Sequence, residues 1–177
     1  MAAARRRSQW GWHRLTDDTA RALVDRAGVR RGDLVLDIGA GTGAITVPLV
    51  AAGARVIAVE LHPARASMLR ARFADARVIV VQVDASDLRL PRRPFRVVAN
   101  PPFAVTTALL RRLLAPGSRL VSADLVLGRA AARRWTATGG AGPFDLRILH
   151  ALPRSAFVPR PRVDAVVLRI ERRGVRA

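Results

Sequence analysis

The sequence predicts an α/β fold: a doubly wound, mostly parallel seven-stranded sheet with an antiparallel hairpin at one edge. Three observations lead there. Short Val/Ile/Leu runs alternate with segments of helical periodicity between residues 16 and 128, which is how crossover-connected parallel strands read. The residues that break these runs (glycines, single acids, an Asn-Pro-Pro) collect at their carboxyl ends. The last two runs, within 144–173, have no helix between them and are expected to pair as a hairpin.

The elements follow in order. Residues 1–15 form a basic arm, and "TDDTARALVDRAGV" (16–29) is a helix that Thr16 can cap. "DLVLDIG" (33–39) is a strand ending in a glycine cluster, and "AITVPLVAAG" (44–53) is a helix with Gly53 as its stop. "RVIAVEL" (55–61) is a strand, "PARASMLRARFAD" (63–75) a helix and "ARVIVVQVDA" (76–85) a third strand. "FRVVANPPF" (95–103) is the fourth strand, "TTALLRRLLAP" (106–116) a helix and "RLVSADLVLG" (119–128) the fifth strand. A polar, Gly-rich stretch covers 129–143, and 144–173 reads as two strands around a proline-rich loop. Residues 16–177 are expected to make one domain, with no separate C-terminal domain after it.

Composition narrows the function. Half the residues are hydrophobic and a quarter charged, as in a folded globular chain. No apolar run is long enough for a membrane span or a secretory signal, and cysteine is absent, so a cytoplasmic protein is expected. The net charge is +18, from 31 basic residues against 13 acids, and every base is Arg. A GC-rich genome explains Arg in place of Lys, but not the excess of bases. A polyanionic partner does, because cations that neutralise phosphates release counterions. The histidines His13, His62 and His150 have no metal-ligand spacing, and no metal site is expected.

In open α/β sheets, ligands bind at the carboxyl ends of the strands near the switch in strand order. The first such end is "DIGAGTG", with Asp37, Gly39, Gly41 and Gly43 leading into a helix. Its spacing suits a tight turn and close backbone approach to a nucleotide-like ligand, although a plain Gly-rich turn has the same composition. Glu60 ends the second strand, where a carboxylate can accept both hydroxyls of a ribose; a solvated strand-end charge is the alternative. Asp84 ends the third strand, where an acceptor can read an adenine amine or simply shape a turn. Together they imply an adenosine-containing ligand.

The fourth end is "ANPPF". If the ligand is S-adenosylmethionine and the acceptor a planar base amine, that nitrogen's lone pair is delocalised and a poor nucleophile. Two acceptors placed on its N–H groups, the Asn100 side-chain oxygen and the Pro101 carbonyl, would help it pyramidalise. Phe103 can stack on the base once it has left its helix. Aromatics lie beside arginines in "RRRSQWGWHR" and "RRWTATGG". Arg5, Arg6, Arg7, Trp10, Trp12, Arg133 and Arg134 are therefore candidate RNA contacts, with simple packing as the alternative for the tryptophans.

The segments "VLDIGAGTGAIT", "VIAVELHP", "VVQVDASDLRLP", "FRVVANPPF" and "FVPRPRVDAVVLRI" fall in one order and spacing. In them the chain resembles the rRNA adenine N6-methyltransferases, particularly the macrolide-lincosamide-streptogramin resistance (Erm) type. The resemblance implies a Rossmann-like class I methyltransferase fold, S-adenosylmethionine as cofactor, and cofactor contacts at Gly39, Gly41, Glu60, Asp84 and Asn100. It also places "WHRLTD" where the family closes over the methionine end of the cofactor, with His13 and Leu15 as contacts. The implied substrate is an adenine of 23S rRNA in the macrolide-binding region, met as free or partly assembled RNA by a monomeric enzyme. Family members usually continue into a small helical domain, so the chain resembles the short, actinobacterial-type members. Small-subunit rRNA dimethylation, DNA adenine methylation and a non-catalytic RNA-binding role in ribosome assembly are the alternative readings.

Overall fold

The structure, a computed structural model, describes residues 13–137 and 142–174. Strand β1 (Arg14–Leu15) opens it and leads directly into helix α1 (Asp17–Ala27). Thr16 caps α1, its hydroxyl accepting from the Thr19 backbone N–H, and Asp17 and Asp18 complement the positive end of the helix dipole. Gly28, in the left-handed region at φ 63°, ends the helix.

Strand β2 (Leu34–Ile38) follows, then the short helix α2 (Thr46–Ala51), strand β3 (Arg55–Val59) and helix α3 (Pro63–Arg72). Pro63 starts α3 where a missing N–H costs nothing. Strands β4 (Val78–Val81) and β5 (Phe95–Ala99), helix α4 (Thr106–Leu113) and strand β6 (Leu120–Gly128) complete the parallel part. Helix α5 (Arg129–Ala137), strand β7 (Phe144–Leu152), the two-residue strand β8 (Phe157–Val158) and strand β9 (Ala165–Arg172) close the chain.

The main sheet has seven strands in the order β4-β3-β2-β5-β6-β9-β7. Strand β9 is antiparallel to both neighbours, which gives the antiparallel hairpin at the β7 edge. The order reverses between β2 and β5, so the ends of these two strands flank the crevice where such sheets bind ligands. Central strands are buried on both faces: Leu36, Val97 and Leu125 face one core cluster with Leu109, Leu110 and Leu113 of α4. Val35, Val98 and Val126 face another with Leu23 of α1 and Leu49 of α2.

Three elements differ from the sequence reading. The stretch 129–143 is not all loop: α5 occupies Arg129–Ala137, because Ala130–Ala132 and the two following arginines are strong helix formers. The arm at 1–15 ends in a strand that the sequence did not mark, paired in register with β8, Arg14 opposite Val158 and Leu15 opposite Phe157. The region between the last two long strands therefore holds β8 as well as a proline-rich loop. Leu15 and Phe157 are both buried in the second core cluster, at 1% and 2% exposure, which fastens this small sheet to the domain. No helix among the described residues is long and apolar enough to cross a membrane.

Candidate active site

The strand ends converge on one cleft. Its walls include His13, Gly39, Glu60, Arg65, Asp84, Asn100 and Phe103. A second hollow, lined by Leu15, Asp37, Ala40 and Thr42, shares Gly39 and Asn100 with it. The sequence-singled residues from four strand ends and the N-terminal motif thus meet in a single continuous region.

The glycine loop is tight for two reasons. Gly39 sits at φ 77°, a conformation that strains any side chain. A Cβ there would also lie 3.0 Å from Pro102 Cδ and 3.3 Å from Pro101 Cα. Gly39 therefore lets the β2 turn press against the Asn-Pro-Pro turn, a protein–protein approach that the sequence reading gave only to a ligand. The Gly39 and Ala40 backbone N–H groups donate to the Val59 carbonyl at 2.8 and 3.0 Å, tying the loop to the end of β3.

Glu60 is 3% exposed and already engaged. Its Oε2 accepts from the Gly41 N–H at 2.8 Å, and its Oε1 accepts from the His62 N–H and the Arg65 guanidinium, both at 2.8 Å. Oε2 keeps one lone pair for a further donor. Arg65 lies in the first turn of α3 and was not singled out by sequence; nothing in a surface-type helix marks one arginine among several.

Asp84 is half-buried, and its Oδ1 accepts from both the backbone N–H and the hydroxyl of Ser86. These bonds hold its carboxyl below the usual carboxylate range. The turn and the acceptor readings of Asp84 are therefore compatible: one oxygen builds the turn and leaves the other.

Asn100 follows β5 and donates from Nδ2 to the His13 carbonyl at 2.6 Å. Only the amide NH₂ can donate to a carbonyl, so this bond fixes which way the side chain is turned and directs Oδ1 elsewhere as an acceptor. His13 is placed in turn by its Nδ1, which bonds the Pro159 carbonyl at 3.0 Å. Pro101 is buried, and half-buried Phe103 packs near the end of β6, where a Cβ on Gly128 would sit 3.9 Å from its ring.

Asp37 is fully buried beneath the glycine loop at 1% exposure. Thr46, on the first turn of α2, donates its hydroxyl to Oδ2 at 2.7 Å, while Oδ1 is buried with no hydrogen-bond partner among the described residues. Burial pushes this carboxyl up to about 7, against the lowering effect of the Thr46 bonds. Leu15 is buried at the edge of the same hollow.

Arg133 and Arg134 are exposed on α5 and do not line the cleft. Trp135 beside them packs against the main core, which favours the packing reading for that residue. Arg5, Arg6, Arg7, Trp10 and Trp12 lie outside the described residues. Among the described residues no cluster of three or more His or acidic side chains could hold a metal ion.

A profile of the family described as ribosomal RNA adenine dimethylase matches residues 3–177. The chain belongs to that family. Ribosomal RNA small subunit methyltransferase A of Clostridium perfringens is 31% identical over 175 residues, covering 89% of this chain and 61% of the relative. Mycinamicin-resistance protein MyrB of Micromonospora griseorubida is 39% identical over 149 residues, 79% of this chain and 47% of the relative. The crystal structure of 23S rRNA methyltransferase ErmE matches with a TM-score of 0.79 at 27% identity, over 90% of this chain and 70% of that one. The chain thus spans 61% and 47% of the lengths of these two relatives.

Proposed function

We propose that the chain transfers a methyl group from S-adenosylmethionine to N6 of an adenine in 23S rRNA. The observation that carries this reading is the oriented Asn100 amide, locked by the His13 carbonyl at the switch point and facing a cleft with Glu60, Asp84 and Phe103. The cofactor supplies an electrophilic methyl on a sulfonium, a good leaving group, so the protein's task is positioning.

Each residue then has a part. Glu60 offers its remaining lone pair on Oε2 to the ribose, and Asp84 offers Oδ2 to the adenine amine of the cofactor. Asp37, the glycine loop, His13 and Leu15 enclose the methionine end. Asn100 Oδ1 and the Pro101 carbonyl accept the two N–H bonds of the target amine, localising its lone pair as it attacks. Phe103 stacks on the target base; the sulfonium leaves as the neutral thioether, and the methylated N6, now cationic and strongly acidic, loses its proton to water, so no strong general base is required. Arg5, Arg6, Arg7, Trp10, Trp12, Arg133 and Arg134 contribute to holding the RNA.

The family also contains small-subunit enzymes, one of them 31% identical to this chain, so the 16S-type substrate is the second reading. The 39% identity to the mycinamicin-resistance protein supports a resistance role, and the likeness to the 23S rRNA methyltransferase ErmE supports the 23S substrate. The test is incubation with labelled S-adenosylmethionine and, separately, naked 23S rRNA, small-subunit rRNA, assembled subunits and DNA, followed by mapping of the labelled base. Label on one adenine of naked 23S rRNA supports the proposal. Label confined to small-subunit rRNA moves the chain to the second reading, and label in DNA or nowhere sinks both.

A further inference from the structure

We infer that the amino end of the sheet, the end away from Asn100, is a second RNA-binding face that takes the phosphate backbone of a base-paired rRNA helix. This rests on the rRNA reading above and extends it to a surface that no motif marks. The parallel strands lie in the order β4-β3-β2-β5-β6, so the turns entering them stand side by side. Each turn carries exposed arginine: Arg77 before β4, Arg55 opening β3, Arg31 before β2, Arg92 and Arg93 before β5, and Arg119 before β6. Strands spaced by about 4.8 Å put these cations in a row roughly 20 Å long. The length of β5, Phe95–Ala99, separates the row from Asn100 by about 17 Å.

The row is held in place and left uncompensated. The Arg77 carbonyl accepts from the Val56 N–H at 2.9 Å, and the Arg119 carbonyl accepts from the Phe95 N–H at 3.2 Å. The Arg55 N–H donates to the Asp33 carbonyl at 2.8 Å. These bonds tie the turns to the sheet, so the backbone under the charges loses little freedom when a ligand arrives. Among the described residues, no hydrogen bond or ion pair engages these guanidiniums. Acids at this end are taken by other arginines: Asp33 by Arg96 at 3.0 Å, Glu171 by Arg147 at 2.9 Å and Asp145 by Arg173 at 3.4 Å. Asp75, two residues before Arg77, is the acid left to offset the row. Neighbouring cations about 5 Å apart lie within the roughly 8 Å Debye length of physiological salt, so their fields add and they repel one another. A polyanion turns that repulsion into binding by releasing counterions. The chemistry favours a duplex backbone over unpaired bases, because the face has no exposed aromatic side chain on which a base can stack. A duplex is recognised through its phosphates and shape, which a row of guanidiniums on short turns fits. One helix gripped here raises the effective concentration of a target loop at the cleft.

The experiment compares wild type, Arg55→Ala/Arg119→Ala, and a control pair, Arg21→Ala/Arg70→Ala, whose arginines are equally exposed but lie on α1 and α3. Urea midpoints establish that both pairs fold. Binding is measured across salt to a 23S rRNA fragment with the target loop and its flanking helices, to a single-stranded oligonucleotide of the loop alone, and to phosphatidylcholine–phosphatidylserine vesicles. Cofactor affinity and methyl transfer are measured in parallel. Loss of two phosphate contacts lowers the slope of log K against log salt by roughly 1.5 and weakens binding roughly tenfold near about 0.15 M salt. The face pair should show both effects on the helix-bearing fragment, with a raised KM for it and a kcat close to wild type. Its binding to the loop oligonucleotide and to cofactor should be unchanged. Unchanged binding of the fragment, an equal loss in the control pair, or an equal loss on the loop oligonucleotide overturns the duplex face. Loss of vesicle binding with RNA binding intact also overturns it and assigns the row to an anionic membrane surface. Wild-type protein that binds RNA with these dependences yet methylates no adenine overturns the proposed activity and leaves the face supported.

Discussion

Replacing Gly39 with Ala is the sharpest small perturbation of this site. Two costs add at one atom. The φ of 77° disfavours any L side chain by about 1–2 kcal/mol. The new Cβ also meets Pro102 Cδ at 3.0 Å and Pro101 Cα at 3.3 Å, a proline ring and backbone that cannot swing aside. Overpacking of this kind costs about 1–3 kcal/mol, so the total is about 2–5 kcal/mol. The protein can spend it as lost stability or relieve it by moving the Asn-Pro-Pro turn, which displaces Asn100. A misplacement near 1 Å is enough for roughly a hundredfold loss of transfer. Urea denaturation gives the first quantity, and methyl transfer to rRNA at saturating cofactor gives the second. A Gly39→Ala protein with wild-type midpoint and wild-type kcat would refute the claim that the two turns are packed to contact.

Three other outcomes follow from the same structure. Asp37 titrates near 3.8 when unfolded and is pushed up to about 7 by burial, so the folded state holds a proton that the unfolded chain has released between those values. Stability should therefore be greatest below about pH 4 as far as this group is concerned and fall by on the order of 4 kcal/mol as pH rises through 7. Asp37→Asn should flatten that slope in denaturant titrations across pH, and identical slopes in both proteins would contradict the burial argument. Leu15→Ala empties a site that is 1% exposed and should cost about 2–5 kcal/mol in urea unfolding, unless β1 is not fastened to the core as described. Glu60→Gln places an amide against Arg65 and Gly41 and weakens charge-assisted bonds of about 1.5–3 kcal/mol. Cofactor affinity by calorimetry should drop at least roughly tenfold, and an unchanged Kd would remove Glu60 from the ribose site.

Much of the site was legible because it is written at strand ends. Apolar runs located β2, β3 and β5, and the residues just past them (Gly39, Glu60, Asn100) are where a parallel sheet must present its ligand contacts. What was hidden is long-range or ambiguous. The β1–β8 pair joins two-residue strands from opposite ends of the chain, and no local pattern marks a partner so distant. The Ala/Arg run of α5 merged with the glycines after it, because binary patterning is weak where one face is short alanines. The bond from Asn100 to the His13 backbone could not be foreseen from side-chain types, since any residue at position 13 supplies a carbonyl. That contact turns the Asn100 amide through the backbone of His13, not through its imidazole.

The most direct test of the central claim is the methyl yield at a mapped adenine of 23S rRNA, compared between wild type and Asn100→Ala. The wild type should methylate N6 of a single adenine. Asn100→Ala should lose roughly a hundredfold or more, comparable to removing one preorganised transition-state contact, with cofactor binding retained. Methylation of that adenine at an undiminished rate by Asn100→Ala would contradict it.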